Sequence, residues 1–213
     1  MNKKQAFVAA VRPIFEQTYP GACCSLEFEK SHELLIATQL AAQCTDARVN
    51  LVTPALFERY PTIDAFAQAD QAELESYIRS TGFFRNKAKN IIGCCQMLRD
   101  EFGGRVPGTM EELTRLPGVG RKTANIILGD VYGLPSVVVD THCIRLSNRM
   151  GLTKQKDPVK IEMELKKVIP EDYQTRFCHT LVFHGRAFCK AQNPDCLHCP
   201  IEQLCPKIMA KKK

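Results

Sequence analysis

The 213-residue sequence has no stretch approaching the roughly 18 consecutive apolar residues of a membrane-spanning helix, so no membrane partner is expected. The first 20 residues hold one short apolar run, Ala6–Val11, without a signal-peptide core and small-residue cleavage site. Neither secretion nor organelle targeting is therefore expected. Eleven cysteines, an odd number scattered through helical sequence, do not form the framework of a disulfide-stapled secreted domain, and a reduced intracellular chain is expected. Strand-like sequence is scarce: Ser136–Val139 is the one β-like run, too short and isolated to make a sheet. There is no long repeat, and the only low-complexity segment is Lys211–Lys213, a solvated end or an auxiliary phosphate contact.

The residues present describe a helical protein. Apolar residues make up 45% and charged residues 24%, an ordinary globular balance, and the length suffices for one large or two small domains. Leu34, Leu35, Thr38 and Ala42 fall on one helical face, as do Ile91, Cys94, Cys95 and Leu98. Asp70 with Glu73, and Thr109 with Glu112, are spaced as capping boxes, and Asp157–Pro158 reads as an N-cap followed by proline at the first helical position. The breaker-rich stretch Gly129–Pro135 marks a domain boundary. Lys and Arg number 29 against 23 Asp and Glu, a net charge of +6 that suits a polyanionic partner.

Three features carry chemistry. Cys189, Cys196, Cys199 and Cys205 lie within 17 residues at spacings of six, two and five. Four thiolates can hold a structural zinc or an iron–sulfur cluster; the single Cys-x-x-Cys knuckle and the uneven spacing suit a cubane better than a zinc ribbon. His198 could replace a cysteine ligand but is not needed, and the other seven cysteines read as small core residues. The second feature is the turn Leu116–Pro117–Gly118–Val119–Gly120–Arg121. Pro117 ends one helix, and the two glycines permit positive φ and close backbone approach, so that turn amides and a helix N-terminus face outward as a phosphate cradle. A plain helix–helix turn is the alternative.

Lys122 falls in the first turn of the helix that follows. A cation there opposes the macrodipole, and that field with partial burial would favour the neutral, nucleophilic amine. From these residues a phosphate-binding lysine and a catalytic one are both open. The third feature is Asp140, which ends the apolar run Val137–Val139 at an apparent helix start. It is an N-cap by position, and a carboxylate near Lys122 would also stabilise a cationic transition state.

The turn, the segment Val139–Asp140–Thr141–His142 and the cysteine cluster occur in the order seen in the endonuclease III family of helix-hairpin-helix DNA glycosylases, which the chain resembles over nearly its whole length. Leu34–Asp46, Gly82–Lys87 and His184–Gly185–Arg186 resemble that family's segments too. The resemblance implies an all-α fold of two helical domains flanking a DNA-binding cleft. One is a six-helix domain over residues 22–133; the other, discontinuous, joins 1–21 to 134–213 and holds a [4Fe-4S] cluster on Cys189, Cys196, Cys199 and Cys205. Lys122 would be the nucleophile and Asp140 its acidic partner. Leu116, Gly118, Val119, Gly120 and Arg121 would contact the DNA backbone. Gln43 would fill the gap left by an extruded base, and Phe83 stands where the family usually has an aliphatic wedge. Cys44 holds a variable position, and Thr114 stands where relatives often carry a carboxylate.

The implied activity is that of a bifunctional DNA glycosylase and abasic-site lyase, removing oxidised pyrimidines and cutting the strand by β-elimination. Its partner would be duplex DNA with a damaged base or abasic site, met by a cytoplasmic, nucleoid-associated monomer. Two alternatives remain: a monofunctional mismatch glycosylase, whose relatives typically lack lysine at this position and use an activated water, and a non-catalytic DNA-binding module with a structural metal.

Overall fold

A computed structural model describes residues 1–208, so the Lys211–Lys213 tail lies outside the described residues. The described residues are helical and contain no strand, and Ser136–Val139 is neither helix nor strand. Two units divide it: Cys24–Gly133, and Met1–Cys23 with Leu134–Lys213.

The first unit contains α2 (Ser31–Leu40), α3 (Asp46–Arg59), α4 (Ile63–Ala67), α5 (Gln71–Ile78), a 3₁₀ turn (Arg79–Thr81), α6 (Phe84–Glu101), α7 (Met110–Arg115) and α8 (Arg121–Asp130). α6 packs against α4 and α5 through the expected stripe, with Ile91, Cys94, Cys95 and Leu98 all buried. α2 departs from its one-faced pattern. His32 through Leu40 are buried without interruption, so α2 is a central helix, and Ala42 lies beyond its end and is exposed. Around it α3, α6 and α8 bring Leu56, Ile91 and Ile127 into one core.

The second unit contains α1 (Lys3–Thr18), α9 (Thr141–Arg149), α10 (Pro158–Lys166), a 3₁₀ turn (Glu171–Tyr173) and α11 (Gln174–Ala187). Asn2 starts α1 with a reciprocal capping box to Gln5. Val8, Val11 and Phe15 of α1 share a core with Leu146, Phe177, Leu181 and Ile201.

Asp70, Thr109 and Asp157 cap α5, α7 and α10 as their sequence positions predict. The two boxes are not reciprocal. Glu73 turns to Arg59 at 2.6 and 3.0 Å, and Glu112 accepts from the Thr109 hydroxyl at 2.7 Å. Among the seven cysteines read as core, Cys94, Cys95, Cys143 and Cys178 are buried, Cys24 and Cys44 partly so, and Cys23 is exposed. Burial pushes the Cys94 thiol up to about 12, which makes it inert.

Gly185 fixes how α11 meets α9. A Cβ there would stand 2.4 Å from His142 Nδ1 and 2.8 Å from Arg145 Nη2, closer than any real contact. Gly185→Ala is expected to destabilise the protein by about 1–3 kcal/mol through overpacking. Urea denaturation that finds the variant as stable as the wild type would show that the ring simply moves aside.

Candidate functional site

In the first unit the chain between α7 and α8 forms a tight turn. Leu116 precedes proline and is held extended, and its carbonyl accepts from Val119 N at 3.1 Å. Gly118 has φ +75, and a Cβ on it would lie 2.6 Å from Gln39 Oε1 and 2.9 Å from Asn90 Cβ. Only glycine meets both conditions. The paired reading of the two glycines needs correction, because Gly120 is extended at φ −97 with open space where a Cβ would stand. Its effect is at the N-terminus of α8, which starts without a side-chain cap and without an acidic residue in its first turn. That end therefore presents the positive pole of the helix dipole with no side-chain cap, an element of an anion site.

Lys122 is the second residue of α8 and is exposed, so the partial burial expected from sequence is not found. Thr114, on α7, spends its hydroxyl on Met110 O at 2.8 Å within its own helix.

Gln43, Phe83 and Gly118 line one open cavity together with Gln39 and Lys87. Gln43 follows α2 and Phe83 immediately precedes α6; Gln43 is exposed and Phe83 is 65% exposed. Both are left-handed, with φ of 56 and 48. The only other non-glycine residues with positive φ among the described residues are Asn193 and Lys207, in the segment that carries the cysteines. Each such residue costs on the order of 1–2 kcal/mol, so strain is concentrated at the cavity rim and in the cysteine loop.

Lys87 holds the rim together, a role no periodicity or spacing signalled. Its buried ammonium donates to Leu40 O and Thr81 O, both at 2.8 Å, tying the end of α2 to the 3₁₀ turn before Phe83. Burial lowers its pKa, yet the two carbonyls satisfy the charge. Lys87→Met leaves both carbonyls unsatisfied and is expected to cost about 2–4 kcal/mol. Thermal unfolding with an unchanged midpoint would show that the two carbonyls find other donors.

In the second unit Asp140 is the N-cap of α9: its Oδ1 accepts from Cys143 N at 2.7 Å. The cap fixes the carboxylate and leaves Oδ2 for another partner. The residue is partly exposed.

Cys189, Cys196, Cys199 and Cys205 line one small pocket after the end of α11. Nitrogen atoms approach three of the sulfurs. Arg149 Nη1 lies 3.4 Å from Cys189 Sγ, His184 Nε2 3.5 Å from Cys199 Sγ, and Lys207 N 3.4 Å from Cys205 Sγ. Burial pushes the Cys199 thiol up to about 11 and raises Cys205 as well, so these two stay protonated unless a cation lies beside them. His198 is exposed and turned to Asp195 at 2.9 Å. Among the described residues no three His, Cys, Asp or Glu side chains converge on a position for one metal ion. The four cysteine side chains that line this pocket are a donor set of the kind that would hold an iron–sulfur cluster.

No helix among the described residues is long and apolar enough to cross a membrane. Residues 36–171 match the model of the HhH-GPD superfamily of base excision DNA repair proteins. The chain is 51% identical over 211 residues to endonuclease III of Synechocystis sp., covering 99% of this chain and 96% of that protein. It superposes with a TM-score of 0.89, at 43% identity and 97% coverage of both chains, on a non-covalent endonuclease III–DNA complex. The same figures hold for a trapped endonuclease III–DNA covalent intermediate. The chain therefore belongs to the endonuclease III family of HhH-GPD base excision DNA repair proteins.

Proposed function

We propose that this enzyme is a bifunctional DNA glycosylase and abasic-site lyase that uses the Lys122 amine as nucleophile, with Asp140 as its acidic partner. The glycosylase class follows from family membership; the two-step chemistry and residue roles are the proposal. The observation that carries it is the exposed amine on the second residue of α8, at a helix start left uncapped after the Gly118 turn. The turn's amides would hold a DNA phosphate and set the amine beside the sugar. Support comes also from a 43%-identical endonuclease III trapped as a covalent intermediate on DNA.

Extrusion of a damaged nucleotide costs a few kcal/mol, least for a lesion that pairs poorly. Gln43 and Phe83, held in strained backbone at one cavity rim, would occupy the disrupted stack. The neutral Lys122 amine then bonds to C1′ while the C1′–N bond breaks, its electron pair leaving with the base. The Asp140 carboxylate offsets the positive charge that develops on the sugar. Loss of the amine proton and opening of the ring give a protonated Schiff base. That imine acidifies the C2′ hydrogen; loss of this proton expels the 3′ phosphate, and hydrolysis of the imine returns the amine.

Oxidised pyrimidines are the proposed lesions, duplex DNA the partner, and a cytoplasmic monomer on nucleoid DNA the working form. The domain assignment proposed is the turn-bearing unit as the hairpin domain and the other as the cluster domain. Cys189, Cys196, Cys199 and Cys205 would hold a [4Fe-4S] cluster, which when bound cross-links the loop that follows α11. Borohydride trapping on duplexes with thymine glycol or an abasic site is the test. A covalent adduct on both is expected; base release with no adduct would instead establish the water-using, monofunctional reading. Iron and sulfide in anaerobically purified protein are expected, and zinc alone would overturn the cluster.

A further inference from the structure

The cysteine cavity has a second layer that reaches back to the N-terminal helix. His184, on α11, is 1% exposed. Its ring centroid lies 5.1 Å from that of Phe15 and 5.8 Å from that of Phe188, so water cannot serve either nitrogen. Nε2 lies 3.5 Å from Cys199 Sγ, and Nδ1 lies 2.9 Å from the hydroxyl of Tyr19, the residue that ends α1.

The proton positions in this chain follow from elimination. A Cys199 thiolate bound to iron has no hydrogen to give, so the shared proton must sit on Nε2 and point at sulfur. A neutral imidazole then has only a lone pair at Nδ1, and the Tyr19 hydroxyl must donate to it. With Phe at position 19 that lone pair would be left buried and unmatched, and the ring would lose the anchor that aims Nε2–H at the sulfur. Of the three N–H groups near the sulfurs, Arg149 is anchored independently on Lys190 O and Ala191 O at 2.7 and 2.9 Å, and Lys207 contributes backbone. His184 is the one whose donation depends on a partner elsewhere in the chain.

We propose that Tyr19 and His184 form a hydrogen-bond relay to Cys199, in which Tyr19 anchors the imidazole through Nδ1 and His184 is a positioning residue for the cluster thiolate. The inference rests on the cluster reading above. A hydrogen bond to a ligating sulfur withdraws charge from it, which raises the reduction potential and strengthens retention of the metal. The relay thus lets the packing of α1 against α11 set a property of the cluster.

The test compares wild type, Tyr19→Phe, His184→Phe and His184→Gln, each purified anaerobically, by cluster reduction potential and by iron release to a chelator in air. Tyr19→Phe keeps the ring and its packing, and far-UV circular dichroism verifies the fold. Tyr19→Phe and His184→Phe are expected to have more negative potentials and to release iron on the order of tenfold faster. His184→Gln, which carries an amide donor near the position of Nε2, is expected to recover part of both. Wild type that holds iron, with all variants matching its potential and release rate, overturns the relay alone. Equal behaviour of His184→Gln and His184→Phe, both shifted, overturns the donor role and leaves packing. Wild type without iron and sulfide overturns the cluster reading and the relay with it.

Discussion

Lys122→Gln is expected to abolish the borohydride-trapped adduct and to lower strand scission by on the order of 10⁴-fold or more, the usual scale for loss of a nucleophile. Stability is expected to move the other way. Lys122 is exposed and sits in the first turn of α8, where a cation opposes the macrodipole. Its removal should raise stability by about 0.3–1 kcal/mol or leave it unchanged. A variant that is dead, folded and no less stable separates a lysine kept for chemistry from one kept for structure. A variant that still traps DNA as well as wild type would reassign the nucleophile.

Asp140 requires two substitutions, because it already has a structural role. Asp140→Asn keeps an oxygen for the Cys143 amide and removes the charge; Asp140→Ala removes both. Asn is expected to lower base excision by about 10²–10³-fold with little change in melting temperature. Ala should match that loss and add about 1 kcal/mol of instability from the missing cap. The proposed pairing makes a sharper demand. If both groups act on one sugar, the double variant Lys122→Gln/Asp140→Asn should be scarcely slower than Lys122→Gln alone, since residues that work as a unit are grossly non-additive. Kinetics under single turnover in which the two losses multiply would show that they act independently.

What the sequence disclosed depended on the range of the forces involved. N-caps are local, and Asp70, Thr109, Asp140 and Asp157 all cap the helices their positions announce. Apolar periodicity located α6 but misjudged α2, because a helix surrounded by its neighbours buries every face and retains no polar stripe. The two glycines of the turn look equivalent in sequence. Only Gly118 has positive φ, and only there do Gln39 of α2 and Asn90 of α6 leave no room for a side chain.

The same limit hid Lys87 and the backbone at Gln43 and Phe83. A lysine amid a helix reads as solvated surface until the carbonyls of Leu40 and Thr81 are placed around it. Left-handed φ at a glutamine or phenylalanine has no sequence signature, since tertiary packing enforces it against local preference. His184 was visible only within a His-Gly-Arg segment. Its neighbours Tyr19 and Cys199 lie 165 and 15 residues away in sequence.

The central claim is that one particular amine becomes covalently bound to the deoxyribose. Borohydride reduction on an abasic-site duplex, followed by proteolysis and mass spectrometry of the cross-linked peptide, reads that bond directly. The modified residue is predicted to be Lys122. A cross-link on any other lysine or on the N-terminal amine, or no cross-link at all, would contradict the proposed mechanism.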